Sequence, residues 1–398
     1  MRLLVRGVTA AALLLAPLAA LPSAVAAPTA AVPTAAAPAP LYRSDQAVPD
    51  QYIVTLDQTA NVSGTTRSLG IDTMFTYDSV MRGFAAVLTA SQLDTVRATP
   101  GVTAVEQNSK VSAFGDAHSG PQTRATATSW GLDRIDQRHL PLDQRFSTVG
   151  TGQGTTGYIL DTGIDFAHSQ FGGRAVPGYD AVGDGQNGQD CNGHGTHVAG
   201  TVGGATFGVA PMAKLVSVRV LDCTGSGSTA AAIAGLDWVA KNAVQPAVLN
   251  ASLGGDLSPA LNAATDALAA DGVLPVVAAG NSTEDACGVS PASAGQALTV
   301  GATDQTDHQS DFSNYGSCVS VFAPGENIVS AKLGGGSVAL SGTSMSAPHA
   351  TGVALLYKAA NPSASAADVA GWIGAESTMD ALTVDNGSPD RLLFTGGL

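Results

Sequence analysis

Charged and aromatic residues are both scarce in this chain of 398 residues, at 13% and 5% of the sequence. Charged residues usually make up about a quarter of a soluble domain, so their share here is roughly half the norm. Basic residues are the scarcer kind: 18 Lys and Arg stand against 32 Asp and Glu, which gives a formal net charge of −14. A surface this acidic repels phosphate backbones and anionic membranes, so we expect neither nucleic acid nor a membrane as a partner.

Long apolar runs are also missing, except at the N-terminus. Arg2 and Arg6 precede a mostly apolar run at residues 8–21, and Ala-Val-Ala at 24–26 fits a small-x-small cleavage site. The run is too short for a transmembrane helix, which needs about 20 apolar residues. These features predict a signal peptide at residues 1–26 and a secreted, extracellular product.

Cysteine is limited to four residues, all in the C-terminal part of the chain: Cys191, Cys223, Cys287 and Cys318. An even number of cysteines in an exported chain predicts disulfide bonds. No Cys-x-x-Cys pair occurs and the spacing is not that of a zinc finger, so metal ligation is the less favoured interpretation. The spacing alone leaves the disulfide pairing open.

Composition divides the rest of the chain into segments. Residues 27–50 are predicted to be a linker, since 27–40 contain only Ala, Pro, Thr and Val. Residues 51–112 are predicted to form a small α+β domain. Residues 113–126 are rich in Gly, Ser, Thr and Ala, and they form an exposed linker of the kind that proteases cut. The remaining 127–398 are predicted to be one large domain.

Strand and helix patterns alternate in the large domain, which predicts an α/β fold with a mainly parallel sheet covered on both faces. In such sheets the sites lie at the carboxyl ends of the strands. In the small domain, a short helix is predicted to begin at the capping residue Ser91. The predicted strands lie at 51–56, 84–88, 102–106, 157–160, 215–220, 247–249, 273–278, 297–300 and 319–322, and the helices at 91–99, 228–242, 258–270, 344–360 and 366–373.

Asp161 ends an apolar strand in the segment Gly-Tyr-Ile-Leu-Asp-Thr-Gly. A carboxylate at the end of a buried strand is partly buried and needs a donor or a positive partner. Taken alone, the residue is better explained as a helix cap or a turn residue. Asp-Thr-Gly also occurs in aspartic proteases, but those enzymes need two copies and this chain has one.

His194 lies in a glycine-rich turn, Asn-Gly-His-Gly-Thr-His, just before a predicted helix of small residues. Imidazole acts as a base near neutral pH when a carboxylate holds its tautomer. His194 and His197 could also be metal ligands, but no third ligand follows at a useful spacing. We therefore expect His197 to be a structural histidine.

Ser344 stands at the start of a long apolar helix, in Ser-Gly-Thr-Ser-Met-Ser-Ala-Pro. Free N–H groups at a helix start favour negative charge, and a serine hydroxyl becomes a nucleophile when a base takes its proton. Pro348 is expected in the first helical turn, where its missing donor costs little. For this segment alone, a plain N-cap serine is the favoured interpretation.

The order and the flanking residues separate these alternatives. Acid, base and nucleophile occur in the order Asp161, His194, Ser344, as in subtilisin and unlike chymotrypsin or the α/β-hydrolases. The strings D-T-G-I-D, H-G-T-H-V-A-G and G-T-S-M-S-A-P-H match the subtilisin-like serine peptidases of family S8. From about Trp130 to Leu393 the chain resembles the proteinase K branch, in particular its aqualysin type. The resemblance implies a subtilisin-like three-layer fold and a secreted serine endopeptidase.

The resemblance also implies further site residues. Asn281, in Val-Val-Ala-Ala-Gly-Asn, is similar to the family's oxyanion-hole asparagine, a donor worth roughly 3–4 kcal/mol in the transition state. The substrate is expected to lie as a strand between two edges, with the side chain before the cut in an apolar pocket. This arrangement implies broad, apolar-leaning specificity. The implied substrate-binding residues are Gly225, Ser226, Gly227, Ser252, Leu253, Gly254, Ala279 and Gly280.

Residues 51–112 resemble the inhibitor I9 propeptide of the same family. The resemblance implies a precursor that processes itself, with the mature N-terminus between about Gly115 and Ala127. The propeptide would assist folding as an intramolecular chaperone and then inhibit the product.

Two structural features follow from the aqualysin likeness. The aqualysin pattern pairs Cys191 with Cys223 and Cys287 with Cys318. A partial match to a calcium site implies Ca²⁺ as a structural ion, whereas no catalytic cofactor is implied. The implied calcium ligands are Asp133, Asp136, Gln137 and Asp143.

Two other functions are the alternatives. An inactive binding scaffold would not need competent residues at all four catalytic positions, and this chain has them. A serine esterase would use the same nucleophile, but Gly-x-Ser-x-Gly is absent at Ser344 and the two backbone-pairing edges favour peptides. We therefore expect a monomeric endopeptidase that acts on proteins and peptides.

Overall fold

The computed structural model describes residues 37–114, 129–384 and 387–398. Contacts join Pro38–Leu398 into one unit. The signal peptide, the first ten residues of the predicted linker and the processing segment from residue 115 lie outside the described residues, so the predictions made for them stay predictions.

The N-terminal part is a small α+β unit built on a sheet. Its elements are β1 (Leu41–Tyr42), β2 (Ala47–Leu56), α1 (Val62–Leu69), β3 (Thr73–Tyr77), β4 (Gly83–Val87), α2 (Ala90–Arg97) and β5 (Val102–Ala113). β2 pairs antiparallel with β4 and β5, β3 pairs antiparallel with β4, and β1 joins β5 in parallel. Val54, Phe84 and Val105 form the centre of a core that also includes Val62 of α1 and Val96 of α2.

The linker predicted at residues 27–50 ends earlier than the sequence suggests. Leu41 pairs with Val105 and packs against the core of the small unit, and β2 begins at Ala47. The prediction failed because residues 41–50 have no strand pattern of their own: β1 and the first residues of β2 are ordered by pairing with β5.

The helices of the small unit also differ from the prediction. α2 begins at Ala90 rather than Ser91, because Thr89 is the cap. The Thr89 hydroxyl accepts from the Gln92 N–H at 3.3 Å, and the Gln92 side chain accepts from the Thr89 N–H at 3.0 Å. α1 was not predicted, since only two of its eight residues are buried and Val62 and Leu69 are its only large apolar residues.

The rest of the described chain is an α/β domain. Its helices are α3 (Trp130–Ile135), α4 (His194–Gly203), α5 (Thr229–Asn242), α6 (Pro259–Ala270), α7 (Thr343–Ala360) and α8 (Ala366–Glu376). Its strands are β6 (Thr156–Asp161), β7 (Ala175–Asp180), β8 (Lys214–Arg219), β9 (Ser226–Ser228), β10 (Ala247–Ala251), β11 (Leu253–Asp256), β12 (Leu274–Ala278), β13 (Val289–Ser290), β14 (Leu298–Thr303), β15 (Val321–Pro324), β16 (Ile328–Ala331), β17 (Ser337–Leu340), β18 (Thr378–Met379) and β19 (Arg391–Leu392).

A nine-stranded sheet forms the centre of this domain, in the order β18-β19-β15-β14-β12-β10-β6-β8-β7. All neighbouring strands are parallel except β18 and β19. Apolar side chains of α4, α7 and α8 pack mainly on one face, and those of α5 and α6 mainly on the other. The predicted α/β fold, with three layers and a mainly parallel sheet, is confirmed.

Burial explains why these strands lie in the middle of the sheet. Every residue of β6, β10 and β12 is buried, as expected for parallel strands covered on both faces. Helices α5 and α6 begin at capping serines: the hydroxyl of Ser228 accepts from the Ala231 N–H at 3.2 Å, and that of Ser258 from the Leu261 N–H at 3.0 Å. The sheet brings the carboxyl ends of β6, β10 and β12 to the edge where α4 and α7 begin.

Candidate active site

Asp161 and His194 form a buried, hydrogen-bonded pair. Asp161 is the last residue of β6 and His194 is the first of α4. Nδ1 of His194 lies 2.8 Å from Oδ1 of Asp161, and the side chains are 6% and 0% exposed. A carboxylate at Nδ1 keeps the ring proton on that nitrogen, so Nε2 is the nitrogen that can accept a proton.

Glycines allow the two segments to approach so closely. A Cβ on Gly195 would lie 2.2 Å from the carbonyl oxygen of Gly163 and 3.1 Å from Oδ1 of Asp161. Gly193, the cap of α4, has a φ of 111°, a backbone angle that is unfavourable for residues other than glycine. The glycine-rich string around His194 is therefore required by the contact with Asp161.

Asp190 is a buried carboxylate in this site that the sequence analysis missed. One of its oxygens accepts from the Thr162 hydroxyl at 2.9 Å and from two backbone N–H groups of the turn before His194. The other accepts from the N–H and the hydroxyl of Thr196, at 2.9 and 2.6 Å. Asp190 thus ties the residue after Asp161 to the turn that positions His194. Its sequence signal is an Asp just ahead of Asn-Gly, a common turn pattern.

Ser344 is the second residue of α7 and is fully buried. Its hydroxyl donates to the carbonyl oxygen of Ser252 at 3.0 Å, and the Ser252 hydroxyl donates to the carbonyl oxygen of Ser344 at 3.0 Å. The Ser344 carbonyl can accept this bond because Pro348, four residues on, has no N–H to donate. Pro348 therefore lies in the second helical turn and not in the first as predicted, and the Ser252 hydroxyl replaces its missing donor.

Asn281 follows β12 and directs its amide at Phe114, the residue that comes after β5. Nδ2 of Asn281 donates to the carbonyl oxygen of Phe114 at 2.8 Å. Oδ1 accepts from the N–H and the hydroxyl of Thr343, at 2.9 and 2.8 Å, which fixes the orientation of the amide. A Cβ on Gly342 would lie 2.2 Å from the Phe114 oxygen, so a glycine is needed for the carbonyl to enter.

The end of β5 lies as a strand between β9 and β11 and is antiparallel to both. The residues just before β9 and β11 extend this pairing. The Ala113 N–H donates to the carbonyl of Gly225 at 3.0 Å, and the Phe114 N–H donates to the carbonyl of Ser252 at 3.3 Å. All six residues predicted for the substrate edges lie along these two segments: Gly225, Ser226, Gly227, Ser252, Leu253 and Gly254.

The ring of Phe114 lies in an apolar pocket beside β11. A Cβ on Gly254 would come within 2.4 Å of a ring atom. The ring packs against a buried cluster that includes Ala279 and Val289. Gly280 has a φ of 110° and lines the same cavity as Phe114, so both predicted pocket residues lie next to this ring.

Known proteins share both the sequence and the fold. Residues 152–392 match the subtilase family, peptidase S8, and residues 70–114 match the peptidase inhibitor I9 family. This chain belongs to the subtilase family. It is 45% identical to the alkaline serine exoprotease A of Vibrio alginolyticus, over 88% of this chain and 68% of that relative. It is 48% identical to the extracellular serine proteinase of Thermus sp. strain Rt41A, over 80% of this chain and 77% of the relative.

A solved structure resembles this subtilase in the same region. The crystal structure of a cold adapted subtilisin-like serine proteinase is 47% identical, with a TM-score of 0.66, and the match covers 69% of this chain and 99% of the other. The chain is thus a subtilisin-like serine protease that carries an I9 propeptide, as the sequence predicts. The I9 match ends at Phe114, the residue whose carbonyl contacts Asn281.

Two disulfides link loops around the site of this subtilase. Cys191–Cys223 joins the turn before His194 to the segment before β9, and Cys287–Cys318 joins the segment after Asn281 to the loop before β15. This is the pairing that the aqualysin pattern implies.

The residues predicted to bind calcium lie around the turn after α3. The carboxylates of Asp133 and Asp136 accept backbone N–H groups from residues 143–147, and the side-chain nitrogen of Gln137 donates to two carbonyls of the same turn. Burial raises the pKa of Asp133 and of Asp136, and the charges of neighbouring carboxylates, including that of Asp143, add to the effect. The donor set is therefore oxygen-rich and negatively charged, which suits Ca²⁺ in chemistry.

These carboxylates are not gathered as tightly as a ready-made metal site. Within residues 37–114, 129–384 and 387–398, one group of at least three His, Cys, Asp or Glu has ligand atoms all within 4.8 Å of one another: Asp184, Cys191 and Cys223. Its two cysteines form a disulfide and Asp184 pairs with Arg219 at 2.6 Å, so this group is not a metal site. The predicted calcium ligands do not meet the same distance.

His197 and His349 are fully buried histidines of the same domain. Nε2 of His197 lies 2.9 Å from the carbonyl oxygen of Ile328, and Nδ1 of His349 lies 2.8 Å from that of Met345. Burial lowers the pKa of His197 to about 3 and the pKa of His349 to about 4. Both rings are therefore neutral at physiological pH, which fits the structural role expected for His197.

Proposed function

We propose that this subtilase is a secreted serine endopeptidase with Ser344 as its nucleophile and His194 as its general base. In this proposal Asp161 orients the base and Asn281 is the oxyanion donor. The observation that carries the proposal is the position of Phe114. Its carbonyl accepts from the Asn281 amide while the strand before it pairs with both edges, as a peptide substrate would.

The chemistry follows from these contacts. The Ser344 hydroxyl turns from its present acceptor toward the carbonyl carbon of Phe114 and passes its proton to Nε2 of His194. Asp161 stabilises the imidazolium that forms and does not itself become protonated. Negative charge develops on the carbonyl oxygen that the Asn281 amide already contacts, and such a donor is worth about 3–4 kcal/mol. His194 then protonates the leaving amine, and water hydrolyses the acyl-enzyme.

The first substrate in this proposal is the chain's own propeptide. Phe114 lies just before the cut, so the precursor is cleaved between Phe114 and Gly115, at the near end of the range that the sequence predicts. The propeptide would stay bound as an inhibitor, because its contacts do not depend on that peptide bond. Besides the strand pairing, the carboxylate of Glu106 accepts from the hydroxyl of Ser258 and from the Ala260 N–H at the start of α6.

We propose broad, apolar-leaning specificity for the residue before the cut. The aromatic ring of Phe114 there packs on Gly254 and on a buried apolar cluster that includes Ala279 and Val289. A profile of cleaved peptides should favour aromatic and aliphatic residues at this position. A profile dominated by Lys or Arg would contradict the assignment.

Ser344→Ala tests the function directly. The substitution removes one buried hydroxyl oxygen, so the precursor should fold but remain uncut, whereas the unsubstituted precursor should yield a chain that begins at Gly115. Casein hydrolysis that a serine-directed fluorophosphonate blocks separates the alternatives. An inactive scaffold would leave casein intact, and an esterase would cleave esters but not casein.

We propose secretion because of the predicted signal peptide. The relative from Thermus is an extracellular proteinase, and no helix in the described ranges combines the length and hydrophobicity needed to cross a bilayer. We also propose that the protease acts as a monomer and binds structural Ca²⁺. The calcium ligands would be Asp133, Asp136, Gln137 and Asp143, where a cation would offset the mutual repulsion of the carboxylates.

A further inference from the structure

Asn314 is a buried amide in the loop between β14 and β15, and its side chain is fully inaccessible to solvent. Its Oδ1 accepts from the backbone N–H groups of Ser282 and Glu284, at 3.0 and 3.1 Å. Its Nδ2 donates to the carbonyl oxygen of Ala279 at 2.9 Å. The side chain therefore bonds to the chain on both sides of Asn281.

The backbone of the same residue adds a fourth contact. The Asn314 N–H donates to the carbonyl of Gly280 at 2.9 Å. Gly280 has a φ of 110°, and a Cβ on it would lie 2.2 Å from Nδ2 of Asn314. The amide thus lies directly against the turn that ends in Asn281, in space that any other residue at 280 would fill.

We infer that Asn314 is a positioning residue for the oxyanion donor, an inference that rests on the role proposed above for Asn281. The Asn281 side chain is fixed at its oxygen by Thr343, which leaves its nitrogen directed at the Phe114 carbonyl. That orientation helps only if the backbone of residue 281 is held in place. Asn314 supplies this by fixing the turn before and after it.

Oxyanion donors act because they are preorganised, and removing one costs roughly 10²–10³-fold in kcat. A displacement of about 1 Å in a catalytic group can cost about 10²-fold. Loss of the three side-chain hydrogen bonds of Asn314 frees the turn at Ala279, Ser282 and Glu284. We therefore expect Asn314→Ala to slow the chemical step by roughly 10- to 100-fold.

Self-cleavage of the refolded precursor after Phe114 is the most suitable measurement. The peptide is already bound, so the first-order rate constant, followed by mass spectrometry, reports chemistry without a contribution from KM. Asn281→Ala should slow this cut by roughly 10²–10³-fold. Adding Asn314→Ala to Asn281→Ala should slow it by less than about threefold more, because the donor that Asn314 positions is already gone.

Two further variants serve as controls. Asn314→Ser keeps a hydroxyl that can make part of the hydrogen bonding to Ala279, Ser282 and Glu284 without adding a buried charge, so its rate should fall less than that of Asn314→Ala. It also keeps the test available if Asn314→Ala fails to fold. Asn262→Ala removes an amide that bonds to Ser293 at 2.9 Å, away from the site, and should leave the rate unchanged.

Each result supports the inference or overturns it. Equal slowing by Asn314→Ala in the unsubstituted precursor and in the Asn281→Ala precursor would show that Asn314 does not act through Asn281. An unchanged rate in Asn314→Ala would also overturn the inference. Failure of the unsubstituted precursor to cut after Phe114 would instead contradict the proposed function.

Discussion

Acidification to pH 5 should destabilise this protease, because His197 and His349 must stay neutral in the folded state. Their pKa values of about 3 and about 4 lie below the unfolded value of 6.5. The sign is therefore fixed: their contribution is complete above pH 6.5 and is lost as pH falls toward the folded values. At pH 5 both rings are still neutral when folded but protonated when unfolded. Since one pH unit corresponds to 1.36 kcal/mol, each ring should cost about 2 kcal/mol between pH 7.5 and pH 5.

Guanidinium unfolding of the Ser344→Ala precursor, which cannot digest itself, measures this effect. A combined loss of roughly 4 kcal/mol is large against the 5–15 kcal/mol typical of a whole domain. In His349→Leu the loss between the two pH values should shrink by about 2 kcal/mol, whatever the variant's overall stability. The exposed His139→Leu controls for removal of a histidine and should change the pH dependence much less. The same loss in His349→Leu as in its parent would refute the reasoning.

Two further predictions concern the pocket and the metal. Gly254→Val should lower kcat/KM more than tenfold for substrates with Phe before the cut, because a Cβ at 254 would lie 2.4 Å from the Phe114 ring. For substrates with Ala at that position the loss should be much smaller. Equal losses for both substrates would contradict the pocket assignment. Calcium at 100 times its Kd should raise the stability over EDTA-treated protein by about 2.7 kcal/mol, and Asp133→Asn should remove that gain. A melting temperature that calcium does not change would contradict the proposed ion.

The residues proposed for catalysis could be predicted because their signals are local strings. Asp161, His194 and Ser344 each lie in a short string that includes glycines needed for close packing. At Gly195, for example, any side chain would collide with the carbonyl oxygen of Gly163. The central strands were predictable for a related reason. Strands buried on both faces read as short apolar runs between helices, and their order along the chain indicates a parallel sheet.

Residues that act across the fold could not be predicted in this way. Asp190 and Asn314 form hydrogen bonds between loops that are distant in sequence. No local sequence motif indicates which residues they contact. The docking of Phe114 is of the same kind, since it depends on where β5 ends relative to β9 and β11. The placement of Pro348 in the first turn was wrong for a simpler reason. It is the fifth residue of the predicted helix at 344–360 and the sixth of α7, which begins at Thr343, so with 3.6 residues per turn it lies in the second turn in both cases.

The N-terminal sequence of the product formed by the purified precursor tests the central claim most directly. The unsubstituted precursor should produce a new N-terminus at Gly115 at a rate independent of protein concentration, and the Ser344→Ala precursor should produce none. Cleavage of the Ser344→Ala precursor after Phe114 at the unsubstituted rate, or a first cut elsewhere, would contradict the assignment of Ser344 and Phe114.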